Sequence, residues 1–136
     1  MTRREIREEI FKLLFEKELI DNDIDKRINE VIEENKIKKE EQIDFLKSYV
    51  TEIVEKEEIL VEEIKSILEG WTYERLGTLE KALLKIAFYE ITIKNIGYEI
   101  AINEVLEIAK KYSYDDTKEF LNGILAQLVK KNNGTA

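Results

Sequence analysis

The chain of 136 residues has no cysteine, histidine or proline, and its formal net charge is −8 at pH 7. The missing cysteine and histidine exclude disulfides, Cys–His nucleophiles, Ser-His-Asp triads and histidine-bearing zinc or di-iron sites. A composition of 43% hydrophobic and 38% charged residues, rich in Leu, Ile, Lys and Glu, is typical of an all-helical domain. We therefore predict an all-α protein. Carboxylates are plentiful, but pairs such as Glu62 and Glu63 are typical of solvated charge and no nucleophile or metal constellation is present, so we expect no catalytic residue, metal site or cofactor.

The sequence shows neither a membrane span nor a signal peptide. The N-terminus is charged from Arg3 onward, and no apolar run approaches the ~20 residues that a spanning helix needs. We expect a cytoplasmic protein without a membrane partner.

Apolar residues recur at helical spacing along most of the chain. No run alternates with the period of two that marks a strand. The pattern predicts helices over residues 3–19, 24–34, 40–57, 58–70, 78–93, 99–112 and 117–131.

The stretch 78–93 is predicted to be a central buried helix. Leu79, Leu83 and Ile86 fall on one side, and alanine residues broaden that side into a wide apolar band. A helix this apolar must be covered on more than one side, so we expect the amphipathic helices before and after it to pack around it.

Three local features accompany these helices. A short turn over 72–76 leads into the central helix, and Trp71 is expected in the core beneath that turn. Asp116 and Glu119 resemble a capping box at the start of the last helix. Gly123 lies inside that helix, where glycine costs ~1 kcal/mol relative to alanine, so we expect close helix packing there.

Basic residues are concentrated near the two ends of an acidic chain. Residues 1–7, MTRREIR, contain three arginines against one glutamate, and lysines recur from Lys110 onward. Arginines in a first helical turn face the positive end of the helix dipole, which costs ~0.3–1 kcal/mol each when they are exposed. Their position suggests an outside use such as phosphate binding, and a merely solvated basic helix start is the alternative.

Four stretches, in order and at matching spacing, resemble the NusB family of bacterial transcription antitermination factors. They are RRxxR at 3–7 with the apolar helix that follows it, ERLGTLEKALLKIAFYEI at 74–91, AINEVLEIAKKYS at 101–113, and KEFLNGIL at 118–125. The resemblance implies one domain over 1–136, an all-α bundle of about seven helices in two three-helix subdomains around a central helix. The two subbundles would span about 1–70 and 71–131.

The same resemblance implies a function and a set of partners. A family member binds the boxA RNA of ribosomal RNA leaders as a single strand, together with the ribosomal protein NusE. Other Nus factors and RNA polymerase complete the antitermination complex.

Family roles carry over to particular positions of this chain. By this resemblance, RNA binding falls to Arg3, Arg4, Arg7, Phe15, Lys85, Asp116, Lys118 and Phe120, and partner binding to Glu74, Leu76 and Glu80. Plainer interpretations exist for several of these residues. Phe15, Phe120 and Leu76 could be packing residues, Asp116 could be a helix cap, and Glu80 could be a solvated charge.

Two alternatives to RNA-dependent antitermination remain open at this stage. One is a protein-interaction adaptor that does not bind RNA. The other is a stand-alone relative of the RNA-binding domain of RNA cytosine methyltransferases, which would lack chemistry because no second domain is present to hold a cofactor. The sequence leaves open whether the protein is a monomer or a homodimer.

Overall fold

The computed structural model describes residues 1–132, and this part of the chain is built from α-helices without a strand. The predicted all-α fold class is confirmed. The helices are α1 Arg3–Leu19, α2 Ile24–Glu34, α3 Glu40–Glu55, α4 Glu57–Ile67, α5 Thr78–Phe88, α6 Tyr98–Tyr112 and α7 Asp115–Asn132. A 3₁₀ turn over Tyr73–Arg75 precedes α5, and a π-helical turn over Tyr89–Ile93 follows it.

The first compact unit, Met1–Lys56, contains α1, α2 and α3, each of which contacts the other two. Helix α1 supplies a buried stripe at helical spacing, as its sequence pattern predicts. Fully or nearly fully buried members of this core include Ile6, Ile10, Leu13, Leu46, Val50 and Ile53.

The second compact unit, which begins at Glu57, contains α4 to α7. Helix α5 contacts α4, α6 and α7, and every residue from Ala82 to Glu90 is buried. This is the central helix that the apolar pattern predicts. Its regular α-helical part ends at Phe88, and the π-helical turn continues its buried path for a few residues more.

The boundary between the units lies at Lys56 and Glu57, whereas the sequence suggested a division near residue 70. Helix α4 belongs to the second unit because Leu60 and Ile64 are fully buried and the helix contacts α5. The expectation of a single domain over 1–136 stays a prediction.

Trp71 is not the core residue that the sequence suggested. Its residue surface is 52% exposed, and it follows Gly70, whose φ of +74° ends the α4 segment in a left-handed turn. The turn therefore carries the indole outward. Gly123 also differs from expectation, because a Cβ placed there would meet nothing within 4 Å. The glycine leaves an open surface on α7 where close helix packing was expected.

Candidate nucleic-acid interface

The start of α1 is fixed by a reciprocal cap. The Thr2 hydroxyl accepts the Glu5 N–H at 3.1 Å, and the Glu5 carboxylate accepts the Thr2 N–H at 2.7 Å. These hydrogen bonds lower the pKa of Glu5, with the bond from the Thr2 backbone as the largest cause. The cap sets the first helical turn and leaves Arg3 and Arg4 exposed on it.

Two of the three arginines lie against one aromatic ring of α3. The guanidinium carbon of Arg3 is 3.9 Å from the centre of the Phe45 ring, and that of Arg7 is 5.7 Å from it. Tyr49 packs edge-on against Phe45 at 4.6 Å. Both arginines lie within the cation–π range, so this ring holds the basic end of α1 in place.

Arg7 differs from the expectation of three solvent-facing arginines. Only 5% of its surface is exposed, whereas Arg3 and Arg4 are exposed. The structure gives Arg7 a packing position beside Phe45 and leaves the first two arginines as the accessible cations of this cluster. Phosphate binding by Arg7 stays a prediction.

Phe15 lies on α1, one turn after Phe11. It is half-buried, and its ring centre is 5.7 Å from that of Phe11, with a tilt of 49° between the planes. Phe11 is buried and anchors this pair to the core of the first unit. Phe15 is only partly covered, and its stacking on a base stays a prediction.

In the second unit, the exposed Trp71 and the half-buried Phe120 form an aromatic pair. Their ring centres are 5.1 Å apart and their planes meet at 63°, an edge-to-face arrangement. The pair borders a depression of about 280 Å³ that Glu80, Asp116 and Thr117 also line. The structure thus brings together three of the predicted site residues, Glu80, Asp116 and Phe120, with a tryptophan that was not predicted to join them.

Both carboxylates of this depression are oriented by backbone donors. Glu80 accepts the Gly77 N–H at 2.6 Å, and Asp116 accepts the Thr117 N–H at 3.0 Å. The plainer interpretation of Asp116 as the N-cap of a capping box is wrong. Helix α7 begins at Asp115, so Asp116 lies within the first turn, and the carbonyl of Tyr114 accepts the N–H groups of Thr117 and Lys118.

Lys118 lies apart from the aromatic pair. It is half-buried and lines a second depression together with Leu106, Asp115, Glu119 and Asn122. Because α7 turns by 100° per residue, residues 118 and 120 point to different sides of the helix. Lys118 and Phe120 are thus close in sequence but border different depressions.

Two predicted contact residues, Lys85 and Leu76, are buried, and their roles in RNA and partner binding stay predictions. Lys85 is 4% exposed, and its ammonium group is 2.6 Å from Oε1 of Glu57, so the buried lysine forms an ion pair with a carboxylate that is half exposed. Leu76 is 5% exposed and closes the turn before α5. Glu74, in the 3₁₀ turn, is exposed as a partner-binding residue requires.

Sequence reasoning also missed a cationic–aromatic cluster around Tyr73. The Lys81 ammonium is 5.0 Å from the ring centre, and that of Lys65 is 6.0 Å away. Lysines from α4 and α5 meet at this turn only in the folded unit. For Trp71 a signal was present, since it follows a glycine and lies outside the helical apolar pattern.

Within residues 1–132, acidic residues nowhere form a group of three or more that could hold a metal ion. No helix in the same range is long and apolar enough to cross a membrane.

Solved structures define the class of protein to which this fold belongs. The chain is similar to T. maritima NusB, with a TM-score of 0.86, 30% identity, and coverage of 96% of this chain and 92% of that one. A crystal structure of NusB and NusE in complex with dsRNA has the same fold, with a TM-score of 0.86 at 24% identity over 95% and 96% of the two chains. The fold is therefore the all-helical NusB fold.

The chain belongs to the NusB family, whose model matches residues 4–130. It is 37% identical to the transcription antitermination protein NusB of Fusobacterium nucleatum, over 91% of this chain and 86% of that protein. It is 35% identical to that of Ruminiclostridium cellulolyticum, over 96% and 90%. Transcription antitermination is the function for which these relatives are named, and the chain is an antitermination factor of this family.

Proposed function

We propose that this chain binds boxA RNA of ribosomal RNA leaders together with the ribosomal protein NusE. In this role the chain and NusE load an antitermination complex, which contains other Nus factors, onto RNA polymerase. The proposal includes no catalytic step and no cofactor. The relatives' role in transcription is consistent with the cytoplasmic location expected from the sequence.

The observation that carries the RNA proposal is the arrangement of Arg3 and Arg4 on the first turn of α1. Both are exposed at a helix end whose dipole disfavours cations, and Phe45 restrains the side chain of Arg3. A restrained guanidinium loses less conformational entropy when it binds a phosphate, and it can form two parallel hydrogen bonds. The position of these two arginines favours binding to phosphate, whereas it lowers the stability of α1 when no phosphate is bound.

The NusE part of the proposal is supported by the acidic residues near the start of α5. Glu74 is exposed, and the carboxylate of Glu80 is held at the helix start by the Gly77 N–H. Leu76 is buried beneath the same turn, so we assign it a supporting role for the surface. Similarity to the solved NusB–NusE complex with dsRNA makes RNA and NusE the first ligands to test.

The experiment is a set of four titrations. Single-stranded boxA RNA is titrated into the protein with and without saturating NusE, and NusE is titrated with and without saturating RNA. We expect each ligand to strengthen binding of the other by the same factor, because the coupling free energy between two sites is reciprocal. A scrambled RNA of equal length is the control for charge-driven binding.

The net charge of −8 favours one competing function, a protein-interaction adaptor that does not bind RNA. If NusE binds while boxA RNA does not bind at low salt, either alone or with NusE, the adaptor function replaces the proposal. Equal affinity for boxA and scrambled RNA would instead remove boxA recognition from it.

A further inference from the structure

Trp71 is the only tryptophan of the chain, and more than half of its surface faces solvent. Tryptophan is usually well buried, because its ring carries a large apolar surface. Trp71 lies in a turn between Gly70, whose backbone is left-handed, and Thr72, whose backbone is extended. Its indole therefore does not belong to the apolar side of a helix.

The second observation is the contact between Trp71 and Phe120. The edge-to-face geometry at 5.1 Å joins the turn before α5 to the first turns of α7. Each ring restricts the rotation of the other, and the pair borders two surface depressions. One is lined by Glu80, Asp116 and Thr117, and the other is lined by Gly123, Ile124 and Gln127. A Cβ at Gly123 would meet nothing within 4 Å, so a flat group can reach the rings from that side of α7.

The third observation is the chemistry around the rings. Glu80 and Asp116 line the depression, and each is held by a backbone N–H through one oxygen, while a carboxylate has further lone pairs. Carboxylates repel a phosphate but accept hydrogen bonds from the exocyclic amino group of a base. Aromatic faces beside such acceptors match the way proteins hold unstacked bases of single-stranded RNA.

We propose that Trp71 contacts a nucleobase of the bound RNA, and that it forms with Phe120 a two-ring site that favours a base bearing an exocyclic amino group. This inference rests on the proposed RNA-binding function and adds to it a contact residue and a base preference. The charge contacts of Arg3 and Arg4 and the base contact at Trp71 then differ in their dependence on salt.

The test uses the fluorescence of Trp71 in the full-length protein. Binding of single-stranded boxA RNA should quench or shift this emission, since the base stacks on the fluorophore itself. Trp71→Ala should weaken boxA affinity by roughly 5- to 150-fold without changing the salt slope, as expected from loss of one stacked base. Trp71→Phe should recover most of that loss, and Tyr98→Ala, another exposed aromatic of the same unit, should leave affinity unchanged.

A second arm tests the base preference. Oligocytidine and oligouridine of equal length carry the same charge, but only cytosine has an exocyclic amino group. We expect oligocytidine to quench Trp71 more strongly at equal concentration, and equal quenching or a preference for oligouridine would overturn the assigned preference.

The outcomes separate this inference from the function on which it rests. If wild-type protein binds no RNA, the proposed function fails. If it binds boxA RNA with a salt slope that depends on Arg3 and Arg4, while emission and the affinity of Trp71→Ala stay unchanged, the function stands and the Trp71 contact is wrong. If Trp71→Ala weakens NusE binding alone, the ring contacts protein and the inference is overturned. Should Trp71→Ala fail to fold, the wild-type emission and the Trp71→Phe variant decide.

Discussion

The guanidinium of Arg3 lies 3.9 Å from the centre of the Phe45 ring, so the first turn of α1 is attached to α3 by a cation–π contact. Phe45 is itself nearly buried and packs against Tyr49. Such a contact is worth ~0.5–1 kcal/mol when exposed and about 2 when desolvated. It restrains Arg3 without neutralising its charge, which a carboxylate partner would do.

We expect Arg3 and Arg4 to contact RNA and Arg7 to stabilise the fold. Arg3→Ala with Arg4→Ala should reduce the salt slope for boxA RNA by roughly 1.4 in total, because each lost phosphate contact on a single strand removes roughly 0.7. Fluorescence anisotropy over a salt series measures the slope. Lys38→Ala with Lys47→Ala removes the same charge from exposed positions of the same unit and serves as the control.

Arg7→Ala should behave differently from that pair. Because Arg7 is buried beside Phe45, we expect a loss of about 0.5–2 kcal/mol in the free energy of unfolding and an unchanged salt slope. Urea denaturation and the same salt series provide the two readouts. A reduced slope with unchanged stability would return Arg7 to the RNA contacts.

Lys85 should contribute to stability and not to binding. Lys85→Ala removes a buried stem and a short hydrogen bond to Glu57, and we expect a loss of about 1.5–3 kcal/mol. A double-mutant cycle with Glu57→Gln should show that the two effects are coupled. Under conditions where the variant is folded, RNA affinity should equal that of wild type, and a specific fall in affinity would support the sequence-based assignment of Lys85 to RNA.

Leu83 tests the central helix. It is fully buried in α5, so Leu83→Ala should lower the free energy of unfolding by about 2–5 kcal/mol through lost transfer energy and a cavity. Ile100→Ala, at a position that is 61% exposed, should change stability by less than ~0.5 kcal/mol. Comparable losses for both variants in urea denaturation would contradict the burial pattern.

The pair formed by Glu16 and Arg27 predicts a pH dependence. Arg27 donates from Nε to Oε1 of Glu16 at 2.8 Å and from Nη2 to Oε2 at 3.1 Å, and these hydrogen bonds lower the pKa of Glu16 below its ordinary value of 4.5. A carboxyl group whose folded pKa is depressed stabilises the protein fully above about 4.5. That stability is lost as the pH falls through the lower folded value.

Glu16→Gln should therefore lower the free energy of unfolding by ~0.2–1 kcal/mol near neutral pH and by much less in acid. The effect at neutral pH is small because both side chains are partly exposed. Thermal denaturation from pH 7 down to pH 3 measures the difference. Glu34→Gln, at an exposed position of α2, is the matched control. A cost that stays constant over this range would mean that Glu16 contributes only by packing.

The sequence by itself determined the helices, the central position of α5 and the family. Each depends on local or periodic information, since an apolar residue every three or four positions specifies which side of a helix is buried. The bounds of α1 and α2 agree with the predicted ranges because polar caps mark their starts, Thr2 for one and Asp23 for the other. The family signature covers most of the chain and likewise needs no contact information.

Only the tertiary structure decided whether side chains outside the apolar side of a helix are exposed or buried. The sequence allows Lys85 to be a surface cation, but its position along α5 places it opposite Glu57, which belongs to a different helix. Trp71 has the large apolar side chain that is typical of a core residue. It nevertheless follows the left-handed Gly70 and lies on the surface beside Phe120. Burial and pairing of this kind depend on contacts between residues far apart in sequence, and periodicity along one helix carries no information about them.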